Sequence, residues 1–194
     1  MSFRRVCLIL NPSAGRGRGR QLQAQLLAAL ANAGLQADLQ VTAGLGHATE
    51  LARNARTAGY DVVVAAGGDG TVGEVVNGLV QATPAGETVG PLGVVPVGSA
   101  NDFADMAGCP RDLDAAARTI AAGLSRCVDL GFATIKTDGE SIQRYFVNNV
   151  GVGFEAWVTL ESYKIKRLQG LPLYLTAALR ALRTYPTPFV KATW

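Results

Sequence analysis

The stretch Asp61-Val-Val-Val-Ala-Ala-Gly-Gly-Asp-Gly-Thr71 decides the fold of this chain. Its apolar residues indicate a buried strand, and the following run Val72-Gly-Glu-Val-Val-Asn-Gly-Leu79 indicates a helix. A strand that passes through glycines into a helix leaves free backbone N–H groups at the helix N-terminus, where a phosphate binds well. We expect the glycines to adopt positive φ and to admit a ligand, and Thr71 to cap the helix. The alternative is a plain strand–helix turn, which is also rich in glycine.

The composition limits the class of protein. With 194 residues the chain can form one full domain, or one domain and part of a second. Hydrophobic residues make up 48% and charged residues 17%, which allows a large core. The three cysteines lack metal-ligand spacing and His47 is the single histidine, so a histidine-based metal site and a catalytic triad are disfavoured. We expect Cys7 and Cys127, which lie in apolar runs, to be buried reduced thiols.

The net charge is only +3, but it is unevenly placed. No acidic residue precedes Asp38, whereas five arginines do: Arg4, Arg5, Arg16, Arg18 and Arg20. From Glu155 to Trp194 there are six basic and two acidic residues. Such clusters suit phosphates or an anionic membrane surface, and a solvated basic face is the alternative. No apolar run is long enough for a signal peptide or a membrane span, so we expect a cytoplasmic protein.

Strands and helices alternate over the first 125 or so residues. Strands are predicted at Val6–Leu10, Ala37–Val41, Val62–Ala66 and Leu92–Pro96. Helices are predicted around Leu22–Leu30, at Ala48–Ala58, after Thr71 and at Leu113–Ala122. This alternation predicts an α/β fold with a doubly wound, mostly parallel sheet in a first domain, residues 1–130.

The pattern changes near residue 130. Val128–Thr137 and Ser141–Val150 read as strands joined by Asp138-Gly139, a strong hairpin signal. Helices are predicted at Phe154–Leu168 and Leu173–Thr184, and a last strand at Phe189–Trp194. We therefore expect residues 131–194 to begin a second, antiparallel β-rich domain. We expect that domain to be incomplete, because a lone terminal strand would leave an unpaired edge.

Polar segments follow the predicted strands, where open α/β sheets bind their ligands. These segments are Asn11–Gly15, Thr42, Gly67–Thr71 and Pro96–Ala104. They supply backbone amides, hydroxyls and carboxylates, with basic residues nearby, and so predict a nucleotide–phosphate site. Asp69 can hold a cation or accept a proton. The chain lacks both the dinucleotide fingerprint Gly-x-Gly-x-x-Gly and the P-loop signature.

Five segments carry a family resemblance. They occur in the order Asn11-Pro-Ser-Ala-Gly15, Gly67-Gly-Asp-Gly-Thr71, Pro96-Val-Gly-Ser-Ala-Asn-Asp-Phe-Ala104, Val128-Asp-Leu-Gly131 and Asn148-Asn-Val-Gly-Val-Gly-Phe-Glu-Ala156. This set resembles the diacylglycerol kinase catalytic family, in particular the soluble bacterial lipid kinases related to sphingosine and ceramide kinases. Gly-Gly-Asp-Gly also occurs in NAD kinases and phosphofructokinases, whereas the segment from Pro96 is more specific to lipid kinases.

The resemblance implies ATP-dependent phosphoryl transfer to a lipid hydroxyl with Mg²⁺, most simply from diacylglycerol to phosphatidic acid. It implies ATP contacts at Asn11, Pro12, Ser13, Ala14, Gly15, Thr42, Gly67, Gly68, Asp69, Gly70, Thr71, Val72, Gly73, Glu74 and Ser99. It implies a charge network around the cleft at Arg16, Asp102, Asp129 and Lys166. Asp69 is the candidate catalytic residue within the chain, and no metal ligands are identifiable.

The implied partner is a lipid at the inner membrane face, met by peripheral contact. We expect no nucleic-acid contact, and a homodimer is one possible state. The family usually has Asn where Gly73 stands, which predicts weaker or shifted nucleotide binding, and Thr where Ser99 stands. Its metal-binding loop and catalytic carboxylate are expected beyond Trp194. An NAD-kinase-like enzyme and a nucleotide-binding protein without turnover are the two alternatives.

Overall fold

The structure is a computed structural model that describes residues 5–137, 140–165, 168 and 170–186. The chain divides into two compact units, residues 1–148 and residues 149–194. The boundary placed near residue 130 from the sequence stays a prediction.

The first unit is built on a four-stranded parallel sheet, which confirms the predicted α/β class. Its strands are β1 (Val6–Leu10), β2 (Ala37–Val41), β3 (Val62–Gly67) and β4 (Leu92–Pro96). Their order in the sheet is β2-β1-β3-β4. The two central strands, β1 and β3, are buried along their whole length, because helices cover both faces of a parallel sheet.

Five helices accompany this sheet and make it doubly wound, as predicted. They are α1 (Ala14–Asn32), α2 (His47–Thr57), α3 (Asp69–Gln81), α4 (Asp102–Met106) and α5 (Leu113–Ala121). On one face, Leu8 of β1 shares an apolar core with Leu26 of α1 and Ile120 of α5. On the other face, Ile9 shares a second core with residues of α2 and α3. The short helix α4 was not predicted from the sequence.

A hairpin forms the second sheet of this unit. Strands β5 (Gly131–Thr137) and β6 (Glu140–Phe146) pair antiparallel, which confirms the predicted antiparallel region. The strands are shorter than expected: β5 begins at Gly131 rather than Val128, and β6 ends at Phe146 rather than Val150. The predicted turn at Asp138-Gly139 lies outside the described residues.

The prediction for the cysteines was right for Cys7 and wrong for Cys127. Cys7 is buried in β1, and burial, together with the nearby carboxylate of Asp38, raises the pKa of its thiol to about 11. Cys127 is exposed, because the segment after α5 is irregular chain rather than the start of a strand.

The described part of the second unit contains two helices, α6 (Phe154–Tyr163) and α7 (Gly170–Thr184). The indole N–H of Trp157 donates to Thr184 Oγ1 at 3.0 Å, and the ring of Tyr185 meets those of Phe154 and Trp157 edge-on. Helix α6 ends before the predicted Leu168, and the predicted strand Phe189–Trp194 lies outside the described residues. No described helix combines the length and apolarity that a bilayer-spanning segment requires.

Two glycines within α3 are expected to respond oppositely to alanine. A Cβ on Gly78 would lie 2.2 Å from the carbonyl oxygen of Thr49 in α2, so Gly78→Ala should cost about 1–3 kcal/mol of unfolding free energy. A Cβ on Gly73 would meet nothing within 4 Å, so Gly73→Ala should stabilise the helix by about 0.5–1 kcal/mol. Urea unfolding of both variants checks this, and changes of the same sign would contradict it.

Candidate functional site

A cavity of about 820 Å³ lies where the carboxyl ends of the parallel strands meet. Its lining residues are Asn11–Gly15, Arg20, Gln23, Val41–Leu45, Ala48, Gly68, Gly70, Thr71, Glu74, Gly98 and Ser99. The fold therefore brings together members of all four polar segments that the sequence placed at the strand ends.

The loop between β3 and α3 forms one wall of this cavity. Gly68 is the N-cap residue of α3, in an extended conformation, and the helix begins at Asp69. The N–H groups of the first helical turn have no partner within the helix, and Gly70 and Thr71 of that turn line the cavity. This wall is suited to binding an anion.

Two expectations about this loop were wrong. None of its glycines has positive φ. Packing instead excludes a side chain at Gly67, since a Cβ there would lie 2.5 Å from Thr71 Cβ, and leaves little room at Gly68, where a Cβ would lie 3.2 Å from Gly98 Cα. Thr71 does not cap α3, because it is buried inside the helix and its Oγ1 accepts a hydrogen bond from Asn11 Nδ2 at 3.0 Å.

Asn11 joins the loop after β1 to the loop after β3. Besides its bond to Thr71, its Oδ1 accepts the N–H of Ser13 at 3.0 Å, and its own N–H donates to Ala66 O at 2.9 Å. The Asn11 side chain thus stabilises the Asn11–Gly15 turn and holds it against the loop between β3 and α3, where we expect a phosphate to bind. This explains physically why an asparagine stands at this position.

The start of α1 is unusual in conformation. Gly15, Arg16 and Gly17 all have positive φ, at 56°, 59° and 95°. A Cβ on Gly15 would lie 2.5 Å from Val97 O, so the turn packs tightly on the end of β4. Arg16 lines a smaller hollow of about 490 Å³ that also includes Pro12, Ser13 and Arg20. Two arginines therefore stand beside the Asn11–Gly15 turn.

Glu74 also lines the cavity, and it connects α3 to α2. Its carboxylate oxygens accept the N–H groups of Gly46 at 2.9 Å and Ala48 at 3.1 Å, so Glu74 caps the N-terminus of α2 from the neighbouring helix. Thr42 lines the cavity as well and is buried, and its N–H donates to Leu10 O at 2.9 Å. The ATP contact implied for Glu74 stays a prediction, alongside a structural role that was not expected.

Asp69 also has a structural role that the sequence did not reveal. Its Oδ2 accepts the N–H groups of Asn101 at 3.0 Å and Asp102 at 3.2 Å, and its Oδ1 accepts that of Phe103 at 2.9 Å. The carboxylate therefore caps the short helix α4 and holds the segment Pro96–Ala104 against the loop after β3. No local sequence signal could have shown this, because more than thirty residues separate the partners.

Further hydrogen bonds stabilise the conformation of the segment Pro96–Ala104. Asn101 is buried with φ 65°, and its Nδ2 donates to Gly98 O at 2.9 Å. The guanidinium of Arg111 donates to Ala100 O at 3.3 Å and pairs with the carboxylate of Asp105, whose pKa the hydrogen bond lowers. These bonds stabilise the backbone conformation that places Ser99 in the cavity lining.

Residues 5–133 match the family model described as the diacylglycerol kinase catalytic domain. The chain belongs to this family. It is 35% identical over 182 residues to a diacylglycerol kinase of Bacillus subtilis, covering 93% of this chain and 56% of that protein. It is 34% identical to a probable lipid kinase YegS-like protein of Citrobacter koseri, covering 94% of this chain and 58% of that protein.

A solved structure supports the same fold. The crystal structure of a diacylglycerol kinase from Bacillus anthracis superposes with a TM-score of 0.63 and 28% identity, covering 84% of this chain and 54% of that one. The chain spans about half the length of the curated relatives it matches.

The remaining implied site residues of this diacylglycerol kinase catalytic domain are not all at the cavity. Val72 is buried in the core between α2 and α3, and Gly67, Asp69 and Gly73 are absent from the cavity lining. Asp102 and Asp129 are exposed, and Lys166 lies outside the described residues. Within the described ranges, no group of three or more His, Cys, Asp or Glu side chains could hold a metal ion. The implied charge network stays a prediction.

Proposed function

We propose that this chain carries the nucleotide site of an ATP-dependent lipid kinase that phosphorylates a lipid hydroxyl, most simply that of diacylglycerol. One observation carries the proposal: the first turn of α3 opens into the cavity shared by all four strand-end segments. The names of the relatives, diacylglycerol kinase and probable lipid kinase, support the lipid as acceptor. The product would then be phosphatidic acid and ADP.

The residues in and beside the cavity have separable tasks in this proposal. The N–H groups at Gly70 and Thr71 would bind phosphate oxygens, and Arg20 would add positive charge. The apolar side chains of Val41 and Leu45 suit a flat base. The carboxylates of Asp69 and Glu74 are already bonded to backbone N–H groups, so the described residues offer no separate metal-ligand set. Mg²⁺ would therefore enter as part of the MgATP substrate.

The transfer itself requires in-line positioning and a proton acceptor. The lipid oxygen would bond to the γ-phosphorus as the bond to the β–γ bridging oxygen breaks, and the hydroxyl proton would pass to a carboxylate. Asp69 is our candidate for that role. A carboxylate has about four acceptor positions, and backbone N–H groups occupy three of those of Asp69.

Helix α7 supports the proposed contact with a membrane surface at the inner face. Its apolar residues at helical spacing are exposed, namely Leu171, Tyr174, Leu175, Leu179 and Leu182. The helix carries Arg180 and Arg183 and no acidic residue, and none follows Glu161 in the sequence. An apolar stripe with basic residues and no acidic ones fits the interface of an anionic bilayer.

A binding and transfer experiment tests the proposal. Calorimetric titration of the chain with MgATP should show saturable binding. Label from [γ-³²P]ATP should then reach diacylglycerol, faster in anionic vesicles than in zwitterionic vesicles of equal diacylglycerol content, because of the charge on α7. Transfer to NAD instead would establish the NAD-kinase-like alternative. Binding without transfer would leave a nucleotide-binding protein, and absence of binding would refute the site.

A further inference from the structure

Asn77, in the middle of α3, uses its side chain to hold a strand of the second sheet. Its Nδ2 donates to Tyr145 O at 2.8 Å, and its Oδ1 accepts the N–H of Tyr145 at 2.9 Å. Nδ2 also donates to Gly73 O at 2.7 Å. The side chain is 8% exposed, so these bonds are made out of contact with bulk water.

The two bonds to Tyr145 show that the Asn77 side chain takes the place of the backbone of a neighbouring strand. Tyr145 of β6 lies opposite Phe132 of β5 in the register of the hairpin. Both backbone groups of Tyr145 bond to Asn77, so they point away from β5, toward the edge of β6 that pairs with no strand among the described residues. The amide of Asn77 thus stands where the peptide group of a further strand would stand, and it covers that edge.

The bond pair also determines the register of the hairpin on the helix. The ring of Tyr145 packs against the core shared by α2 and α3, as do the neighbouring side chains of Leu130 and Val147. Apolar contacts alone would allow the hairpin to slide along the helices on which it packs. A slip of one residue would turn the Tyr145 ring to the opposite face and break both bonds, so Asn77 specifies a single position.

Asn77 shares one face of α3 with Asp69. The two are eight residues apart, with Gly73 midway, so all three lie on one stripe of the helix. At its first turn, this stripe holds α4 through Asp69, and two turns later it holds the hairpin through Asn77. One helix therefore sets the positions of the cavity wall, the Pro96–Ala104 segment and the hairpin.

We propose that Asn77 is a positioning residue that couples the phosphate-binding end of α3 to the β5–β6 hairpin, so that nucleotide binding orders the hairpin. The nucleotide half of this inference rests on the proposed function. A ligand at the first turn of α3 suppresses local opening of that helix. Because Asn77 ties the hairpin to the same helix, opening of the hairpin edge is suppressed with it.

Hydrogen exchange of Asn77→Asp tests the coupling. The substitution keeps the shape of the side chain but removes both donors and places a carboxylate against two carbonyl oxygens. Without nucleotide, amides of residues 140–147 should exchange about tenfold faster than in the parent chain. With MgATP, the parent should gain protection both in 67–71 and in 140–147, whereas the variant should gain it in 67–71 alone with a similar dissociation constant.

Controls separate the outcomes. Asn54→Asp introduces the same charge at an exposed position of α2 and should exchange like the parent. If Asn77→Asp does not fold, as judged by circular dichroism, Asn77→Ser replaces it, with a smaller increase expected. If amides 140–147 of the variant exchanged at the parental rate, Asn77 would not hold the hairpin and the positioning role would be refuted. Protection by MgATP in 67–71 but not in 140–147 of the parent would overturn the coupling. Protection in neither segment would refute the proposed function and the coupling. The exchange rates of residues 140–147 without nucleotide would still show whether Asn77 holds the hairpin.

Discussion

Replacing Gly98 with alanine is expected to destabilise the first unit by about 3 kcal/mol, at the upper end of the cost of overpacking a core. The added Cβ would lie 2.4 Å from Gly68 Cα and 2.8 Å from Asn101 Oδ1. Neither neighbour can move freely. The N–H groups of Val97 and Gly98 both bond to Gly67 O, which holds the ends of β3 and β4 together, and Gly68 is the N-cap residue of α3.

Gly70→Ala is the matched control for this prediction. A Cβ on Gly70 would meet nothing within 4 Å, so the unfolding free energy should stay within about 0.5 kcal/mol of the parent. Gly70 lines the cavity, however, and its new methyl group should weaken MgATP binding about tenfold, or 1.4 kcal/mol. Urea unfolding and calorimetry on both variants give the comparison. Parental stability of Gly98→Ala would contradict this packing, and parental MgATP affinity of Gly70→Ala would contradict the proposed position of the nucleotide.

The second large effect is expected at Asp69. Asp69→Ala removes the acceptor of three backbone N–H groups and the cap of α4, and should cost about 2 kcal/mol of unfolding free energy. Asp69→Asn keeps one oxygen and should cost about half as much. Hydrogen exchange in residues 98–104 should rise in both variants, more strongly for alanine, because the cap no longer holds the segment.

Asp102→Asn provides the control for Asp69. Asp102 lies in the same segment, but its side chain is exposed, so the same chemical change should alter the unfolding free energy by less than about 0.5 kcal/mol. The comparison also bears on the candidate catalytic role. If Asp69→Asn abolished label transfer while keeping parental stability and exchange, proton transfer would be its main task and the capping role would be refuted.

The elements that could be predicted from the sequence are those that local pattern specifies. β1 and β3 are apolar throughout because both of their faces are buried, and runs of that kind between glycine and proline signals are readable in one dimension. The convergence of Asn11, Thr42, Gly68 and Ser99 on one cavity followed from a general rule of parallel sheets. The conformation of the Gly67–Thr71 loop did not follow, because close neighbours rather than positive φ restrict Gly67 and Gly68.

Three carboxamide and carboxylate side chains show why the rest could not be predicted. Asp69 and Glu74 were expected to contact ATP and no role was predicted for Asn77, yet each of the three bonds to the backbone of a different element. Their partners lie between 26 and 68 residues away in sequence. Helix α4 has only five residues and depends on the cap that Asp69 supplies, so its own sequence does not predict a helix.

By itself, the sequence determined the α/β class, the parallel sheet, the family and the place of the cavity at the strand ends. Hydrophobic periodicity and glycine-rich turns are local properties, and strand ends of a parallel sheet meet by geometry alone. Only the tertiary structure decided which groups stay available at that site. Asp69 and Glu74 accept backbone N–H groups from distant segments, because the N–H groups at the N-termini of α2 and α4 have no partner within their own helices.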